Sequence, residues 1–376
     1  MRPPGRPKAE YRSAQHEGSP VPLTVLNVAY PFAAVGPDAV GGAEQVLSHL
    51  DAALVEAGHR SVVVAAEGSQ VRGTLQAVPV IRGAIGDTQR QIAWAEHQRA
   101  IRAAVAQHAP DVIHLHGIDF PHYLPPPGET PLLVTLHLPP SWYPAEVFAD
   151  TRADLYLHCV SQAQHASCPP GARLLPPIPN GVPVQALDCR VSKRPYAIAL
   201  GRICPEKNLH VALEAGRRAD VPVLLGGTVF PYEAHQQYYY EEIVPRLDRQ
   251  RVYLGPLGFA RKRRLLAGAR CLLLPTLAPE TSSLVAMEAL ACGTPVVAFP
   301  SGAIPEIVDH GVTGFLVRDA AEMADAIGAC ADLDPQQCRS IARERFAVER
   351  MTARYFDVYR QLARSTQRDR AALASG

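Results

Sequence analysis

No apolar run in the chain approaches the roughly 20 residues that cross a bilayer, so no transmembrane segment is expected. Neither charge sign dominates. The 37 Lys and Arg stand against 36 Asp and Glu, a formal net charge of +1, and no global field argues for nucleic acid or an acidic polymer as partner. The eight cysteines contain no Cys-x-x-Cys pair and no ligand-like cluster with histidine, so their spacing predicts no zinc site. They read as small buried thiols in a reducing cytoplasm. The opening MRPPGRPKAEYRSAQHEGSP lacks the apolar core of a signal peptide and reads as a disordered leader over 1–20 of a cytoplasmic protein.

What is present is enough chain for two cores: 376 residues, 47% hydrophobic. Short β-branched runs such as LTVLNVAY, RSVVVAA, DVIHLHG and LLVTLH alternate with helical stretches, the first of which carries an apolar stripe of Val46, Leu50, Ala53, Leu54 and Ala57 closed by Gly58. Near-continuous apolar strands separated by helices predict a parallel sheet covered on both faces. The regularity falters between Leu138 and Pro195 under many prolines and glycines. It then resumes with YAIALGR, VPVLLGG, VYLGPL, CLLLPT and PVVAF. The chain therefore reads as α/β, with two doubly wound Rossmann-like domains at 21–190 and 191–345 and a hinge near 180–195. A helix over 346–366 packs back on the first domain, and a flexible tail follows over 367–376. The crevice outside the carboxyl ends of the strands, between the two domains, is the expected ligand site.

LAPETSSLVAMEALACGTPVVAF, from Leu277 to Phe299, carries most of the chemistry. A strand ends, a loop follows, and Ser282 or Ser283 caps a helix running to about Leu290. The backbone N–H groups of Ser283, Leu284 and Val285, at the positive end of that helix, suit a diphosphate. Glu280 precedes this anion site and Glu288 follows it by roughly 7 Å of helix. Acid, phosphate site, acid is the order of a sugar nucleotide: one carboxylate for sugar hydroxyls, amides for the diphosphate, one carboxylate for the ribose. The plainer alternative makes Glu280 a support for the cap and Glu288 a solvated helix residue.

The same segment resembles the E-x7-E motif of retaining glycosyltransferases of family 4, which have the two-Rossmann GT-B fold, and it runs on into ACGTPVVA and GAIPEIVDHGVTGFLV in the family's order. LGRICPEKNLHVALEA is similar to the family's Gly-Arg...Glu-Lys stretch. The first domain matches as well, through GGAEQVLSHL, DVIHLHG, VTLHLP and IPNGVP, so the resemblance covers nearly all of 23–365. It implies that Arg202 and Lys207 clamp the donor diphosphate and neutralise the charge that grows on it as the glycosidic bond breaks. It also implies that Glu280 and His137 lie beside the donor sugar. Read alone, the two basic residues are solvated charges and His137 is a satisfied strand-end histidine. Gly41 and Gly42 let backbone approach the phosphates, or form only a helix-entry turn; no Lys-Ser/Thr follows, which excludes a triphosphate P-loop. His116 and Asp119, with His114, crowd the end of a neighbouring strand as candidates for the acceptor side. One departure is Thr281-Ser282 where many members have an aromatic or Cys followed by Gly, which stiffens the backbone near the donor.

DLD at 332–334 matches a metal-binding Asp-x-Asp by letters only, and RKRR at 261–264 reads as a solvated helix face with anionic lipid as a minor option. The expectation is thus a retaining, metal-independent glycosyltransferase without a cofactor. It would move a sugar from a nucleoside-diphosphate sugar to an unidentified acceptor (small molecule, glycan or lipid-linked), with no nucleic acid and at most peripheral membrane contact. A glycoside hydrolase also uses two carboxylates but needs no basic clamp. A sugar-nucleotide epimerase of GT-B-like fold and a catalytically degenerate nucleotide-sugar-binding protein remain the alternatives.

Overall fold

The computed structural model describes residues 21–374 apart from Arg82 and Ala84, with side chains as far as Ser365. The expected leader lies outside the described residues. Seven parallel strands form the first sheet: β1 Thr24–Val28, β2 Arg60–Ala66, β3 Thr74–Val78, β4 Val112–Leu115, β5 Leu132–Leu136, β6 Leu155–Cys159 and β7 Leu174–Leu175, in the order 3-2-1-4-5-6-7. Six more form the second: β8 Ala197–Leu200, β9 Val223–Gly226, β10 Arg251–Tyr253, β11 Cys271–Leu274, β12 Val296–Ala298 and β13 Gly314–Leu316, ordered 10-9-8-11-12-13. β1, β4, β5, β8, β11 and β12 are buried along their whole length. Helices on both faces account for their unbroken Val, Leu, Ile and Ala runs.

The low-regularity stretch after Leu138 still supplies β6 and β7. Leu155 and Leu157 enter the first core there despite the prolines around them. In the first sheet the order reverses between β1 and β4, and in the second between β8 and β11. Ligands of open α/β sheets collect at such switch points.

The helix Gly42–Glu56 buries Val46, Leu50 and Leu54 of the stripe read from the sequence and also Leu47, while Ala53 is half-buried and Ala57 is exposed. The chain crosses between the sheets twice, and the two crossings are bonded side by side. The Val182 amide donates to the Phe346 carbonyl (2.8 Å) and the Val348 amide to the Val182 carbonyl (3.0 Å). From there the helix Val348–Ala374 returns to the first sheet, where Met351, Tyr355, Tyr359 and Leu362 join one core cluster with Val25, Leu50, Val112 and Leu133. It continues beyond 366, through the stretch expected to be a loose tail, because the Arg, Ala and Leu of that segment are good helix formers with no Gly or Pro to stop them before the end.

Candidate active site

Both switch points open onto the same cleft. From the second sheet, Arg202 follows β8 directly, Lys207 ends the 3-10 turn Pro205–Lys207, and Glu280 lies in the loop after β11. From the first sheet, Gly41 caps the helix after β1, His116 and Asp119 follow β4, and His137 follows β5.

Two helix N-termini converge here. Leu284–Ala291 begins at Ser283 and Gly42–Glu56 at Gly41, and neither N-cap side chain bonds its own helix. A Cβ placed on Gly42 would stand 3.5 Å from Leu284 Cδ1, so the two ends abut across the cleft. Elsewhere in the fold Ser161, Asp319 and Asp334 close their helix N-termini with side-chain bonds. Asp334 thereby explains the second acid of the DLD segment as a cap. The two ends add their dipoles at one place, and the free N–H donors are those of the Leu284–Ala291 end, since the Glu44 carboxylate lies over the other. Glu44 folds back over Gly41, where a Cβ would collide with its carboxylate. Burial pushes that carboxyl up, and the nearby Arg202 charge opposes the shift.

The two acids of the Glu280 to Glu288 stretch each hold a lysine. Lys207 Nζ donates to Glu280 Oε1, and Lys262 Nζ donates to Glu288 Oε1 at 2.6 Å. The second pair corrects the reading of RKRR as a solvated face. Lys262 turns inward to the buried Glu288, and Arg263 donates to the Ala186 carbonyl (2.8 Å). A run of four cations cannot disclose which of them faces a buried acid on another helix. Arg202, by contrast, has no ion-pair partner among the described residues, so its guanidinium is uncommitted.

Glu280 is seated by its backbone. Gly302 has φ +57°, and a Cβ there would meet Glu280 backbone atoms at 2.2–2.9 Å, while the Ala303 amide donates to the Glu280 carbonyl (2.7 Å). Next to it the unusual Thr281 reaches across the cleft: its hydroxyl donates to the His137 carbonyl oxygen (2.8 Å). Two further contacts join the halves. The Phe259 amide donates to Asp38 (2.8 Å), and the Gln162 and Ala163 amides donate to Glu306 (3.1 and 2.5 Å), so an acid from each half meets a helix N-terminus of the other.

On the first-sheet side, His137 Nε2 and His116 Nδ1 share a hydrogen bond of 3.0 Å. Desolvation lowers the basicity of both rings, His137 to about 3, so both are neutral at neutral pH. His116 Nε2 is buried without a partner among the described residues. Asp119 accepts from Trp94 Nε1 (2.6 Å) and Tyr123 OH (2.9 Å), and burial raises its carboxyl. Tyr30 lies close enough to Asp119 and Tyr232 to feel both. It is a cleft residue that the sequence reading missed, since nothing in LTVLNVAY marks a strand-end tyrosine as more than core.

His114 stays beside His116, with ring centroids 4.0 Å apart. It is buried between Thr135 Oγ1 (2.7 Å) and Tyr359 OH (2.8 Å), with Thr135 also bonded to His158 (2.7 Å) and Tyr355 (3.2 Å). Strand alternation keeps both rings on one side of the sheet, and the His116 amide still donates to the Val28 carbonyl (3.0 Å), so His116 continues the register of β4. The expected absence of any Cys–His clustering also needs correction: the fold brings Cys204, Glu206 and His235 together from separate segments.

Two all-parallel Rossmann-like sheets facing a cleft, with helix ends and basic side chains at its floor, define a GT-B glycosyltransferase fold. The model of "Glycosyltransferase Family 4" matches residues 40–184, and that of "Glycosyl transferases group 1" matches residues 194–332. The chain belongs to this family, the group 1 glycosyl transferases of family 4. It is 35% identical over 143 residues to alpha-maltose-1-phosphate synthase of Mycobacterium tuberculosis, covering 36% of this chain and 35% of that protein. To D-inositol 3-phosphate glycosyltransferase of Saccharomonospora viridis it is 41% identical over 90 residues, 22% of this chain and 21% of the relative. The matched parts thus span about a fifth and a third of these relatives' lengths. The crystal structure of Anabaena HepE in complex with UDP-glucose superposes with a TM-score of 0.68 at 21% identity, covering 92% of this chain and 99% of that one. Among the described residues no helix is long and apolar enough to cross a membrane.

Proposed function

We propose that the protein transfers a sugar, with retention and without a metal ion, from a nucleoside-diphosphate sugar to an acceptor hydroxyl. The observation that carries this reading is the meeting of two uncapped helix N-termini beside an uncommitted Arg202. Such a floor stabilises a dianionic leaving group without a divalent ion. Lys207 leaves Glu280 for the diphosphate, and Glu280 is then free to accept from sugar hydroxyls. The ribose hydroxyls donate to Glu288. His137 and Thr281 lie where the halves meet, beside the sugar, and His116, Asp119 and Tyr30 line the acceptor side. The C1–O bond to the diphosphate breaks as the acceptor oxygen bonds C1 on the same face, and the acceptor proton passes to a departing phosphate oxygen. Neutral imidazoles at His137 and His116 suit this step, since they donate a hydrogen bond without adding a competing charge. The UDP-glucose complex of the structural neighbour HepE supports a nucleotide sugar as donor.

The test incubates the purified chain with a panel of UDP-, GDP- and ADP-sugars and follows nucleoside diphosphate release with and without candidate acceptors. Release that requires an acceptor, with a glycosylated product of unchanged anomeric configuration, is the expected outcome. Interconversion of the nucleotide sugar alone would make the protein an epimerase. Tight binding without turnover across acceptor classes would make it a nucleotide-sugar-binding protein.

A further inference from the structure

Three side chains next to the diphosphate clamp are left unused by the reaction proposed above. Cys204 lies on the segment leaving β8 and is fully buried, Glu206 follows two residues on, and His235 comes from the next crossover, in the helix Glu233–Tyr238. A thiol sulfur, a carboxylate oxygen and a ring nitrogen from these three lie within 4.8 Å of one another. No other group of three His, Cys, Asp or Glu side chains among the described residues comes as close. His235 is 9% exposed, and its Nδ1 is buried without a hydrogen-bond partner among the described residues. A buried imidazole nitrogen without a hydrogen-bond partner is an exception in folded proteins, and this one lies beside a thiol and a carboxylate.

We propose that Cys204, Glu206 and His235 bind one thiophilic divalent cation, zinc. Sulfur, nitrogen and carboxylate oxygen make the mixed donor set that zinc takes in tetrahedral sites, here with a fourth position left for water. Magnesium and calcium favour all-oxygen shells and are disfavoured by the thiol. The Cys204 thiol donates to the Arg202 carbonyl oxygen (3.6 Å). On binding, the thiol proton leaves to solvent, and the thiolate and the carboxylate both turn to the ion. The two negative ligands balance the ion's two positive charges, so the neighbouring Arg202 guanidinium faces no net repulsion. Glu206 is the one ligand with access to solvent and closes the remaining distance by side-chain rotation. The bound ion ties the segment carrying Arg202 and Lys207 to the β9 crossover, so its effect is to hold the clamp in place rather than to take part in bond breaking.

Cobalt(II) and zinc(II) titrations of the full chain test this directly. One equivalent of cobalt should give a thiolate-to-metal charge-transfer band in the near ultraviolet, and zinc should displace it. Zinc at about a hundredfold excess over its Kd should raise the melting temperature by about 5 °C. Cys204→Ser and His235→Gln should each lose the band and the shift, whereas Cys168→Ser, which removes a partly exposed thiol elsewhere, should keep both. His235→Gln leaves the buried Cys204 in place, so it decides the matter if Cys204→Ser fails to fold. No thiolate band in the wild-type chain, or a band that survives His235→Gln, would overturn the proposal. Both readouts are independent of turnover, so they stand or fall apart from the transferase reading.

Discussion

Lys262 and Glu288 allow the ribose assignment to be examined through stability and binding on the same variants. The carboxylate side chain is 5% exposed and the ammonium side chain 18%, at 2.6 Å. Lys262→Met therefore strands a buried carboxylate, and breaking such a pair from one side costs about 3–5 kcal/mol. Glu288→Gln leaves an ammonium nearer to water and an amide oxygen still able to accept, so its cost is smaller, about 1–3 kcal/mol. Combining the two removes both charges and should recover most of the Lys262→Met loss, giving strong positive coupling in a double-mutant cycle from urea unfolding. Binding adds a second axis. If ribose hydroxyls donate to Glu288, Glu288→Gln exchanges a hydrogen bond to a charged acceptor for one to a neutral amide oxygen, and calorimetry should read a nucleoside diphosphate Kd weaker by about 5- to 10-fold. The same ligand should raise the melting temperature of Lys262→Met more than that of the wild type, because the hydroxyls satisfy the stranded carboxylate. Unchanged affinity in folded Glu288→Gln would refute the ribose role. A Lys262→Met loss under about 1 kcal/mol would refute the buried-pair reasoning.

Three further outcomes are expected. Arg202→Ala should cut turnover by about 100- to 1,000-fold, as loss of a donor to developing charge does, while His137→Ala should lower turnover and leave nucleoside diphosphate affinity nearly unchanged; lost nucleotide affinity in folded His137→Ala would misplace the first sheet in the cleft. Turnover should survive EDTA even where the melting temperature falls as zinc is stripped, and complete loss restored by magnesium or manganese would reject metal-independent transfer. The buried histidines make stability fall in acid. Burial holds His97 and His158 near 4, below the roughly 6.5 of an unfolded histidine, so the unfolded chain binds protons first. Their contribution is full above about pH 6.5 and is lost as pH falls toward 4. Between pH 7 and 5 the two together should cost about 4 kcal/mol, with His114 shifted in the same direction, and urea midpoints that stay flat over that range would contradict it.

The first-sheet histidines show where reading the sequence stops. DVIHLHG places His114 and His116 two apart on a strand, which suggests one shared face. They do share it, with ring centroids 4.0 Å apart, yet His116 pairs with His137 whereas His114 is satisfied by Thr135 and by Tyr359 from 245 residues away. That partner belongs to a helix whose return to the first sheet depends on the paired crossings at Val182 and Phe346–Val348.

The sequence by itself determined the two parallel sheets, because strands buried on both faces must be apolar throughout and their helices must carry stripes. It also singled out Glu280 and Glu288 as candidates by their spacing around one helix N-terminus, and Arg202 and Lys207 by their resemblance to the family's Gly-Arg...Glu-Lys stretch. Tertiary structure decided everything that depends on contact between segments far apart in the chain. It pairs Lys262 with Glu288, sets Gly42 against Leu284, sends Thr281 across the cleft to His137 and gathers Cys204, Glu206 and His235. The physical reason is range. Backbone periodicity and helix ends are set by neighbours a few residues away, whereas an ion pair, a shared dipole or a metal-ligand set exists only once folding has paid the entropy of bringing its members together.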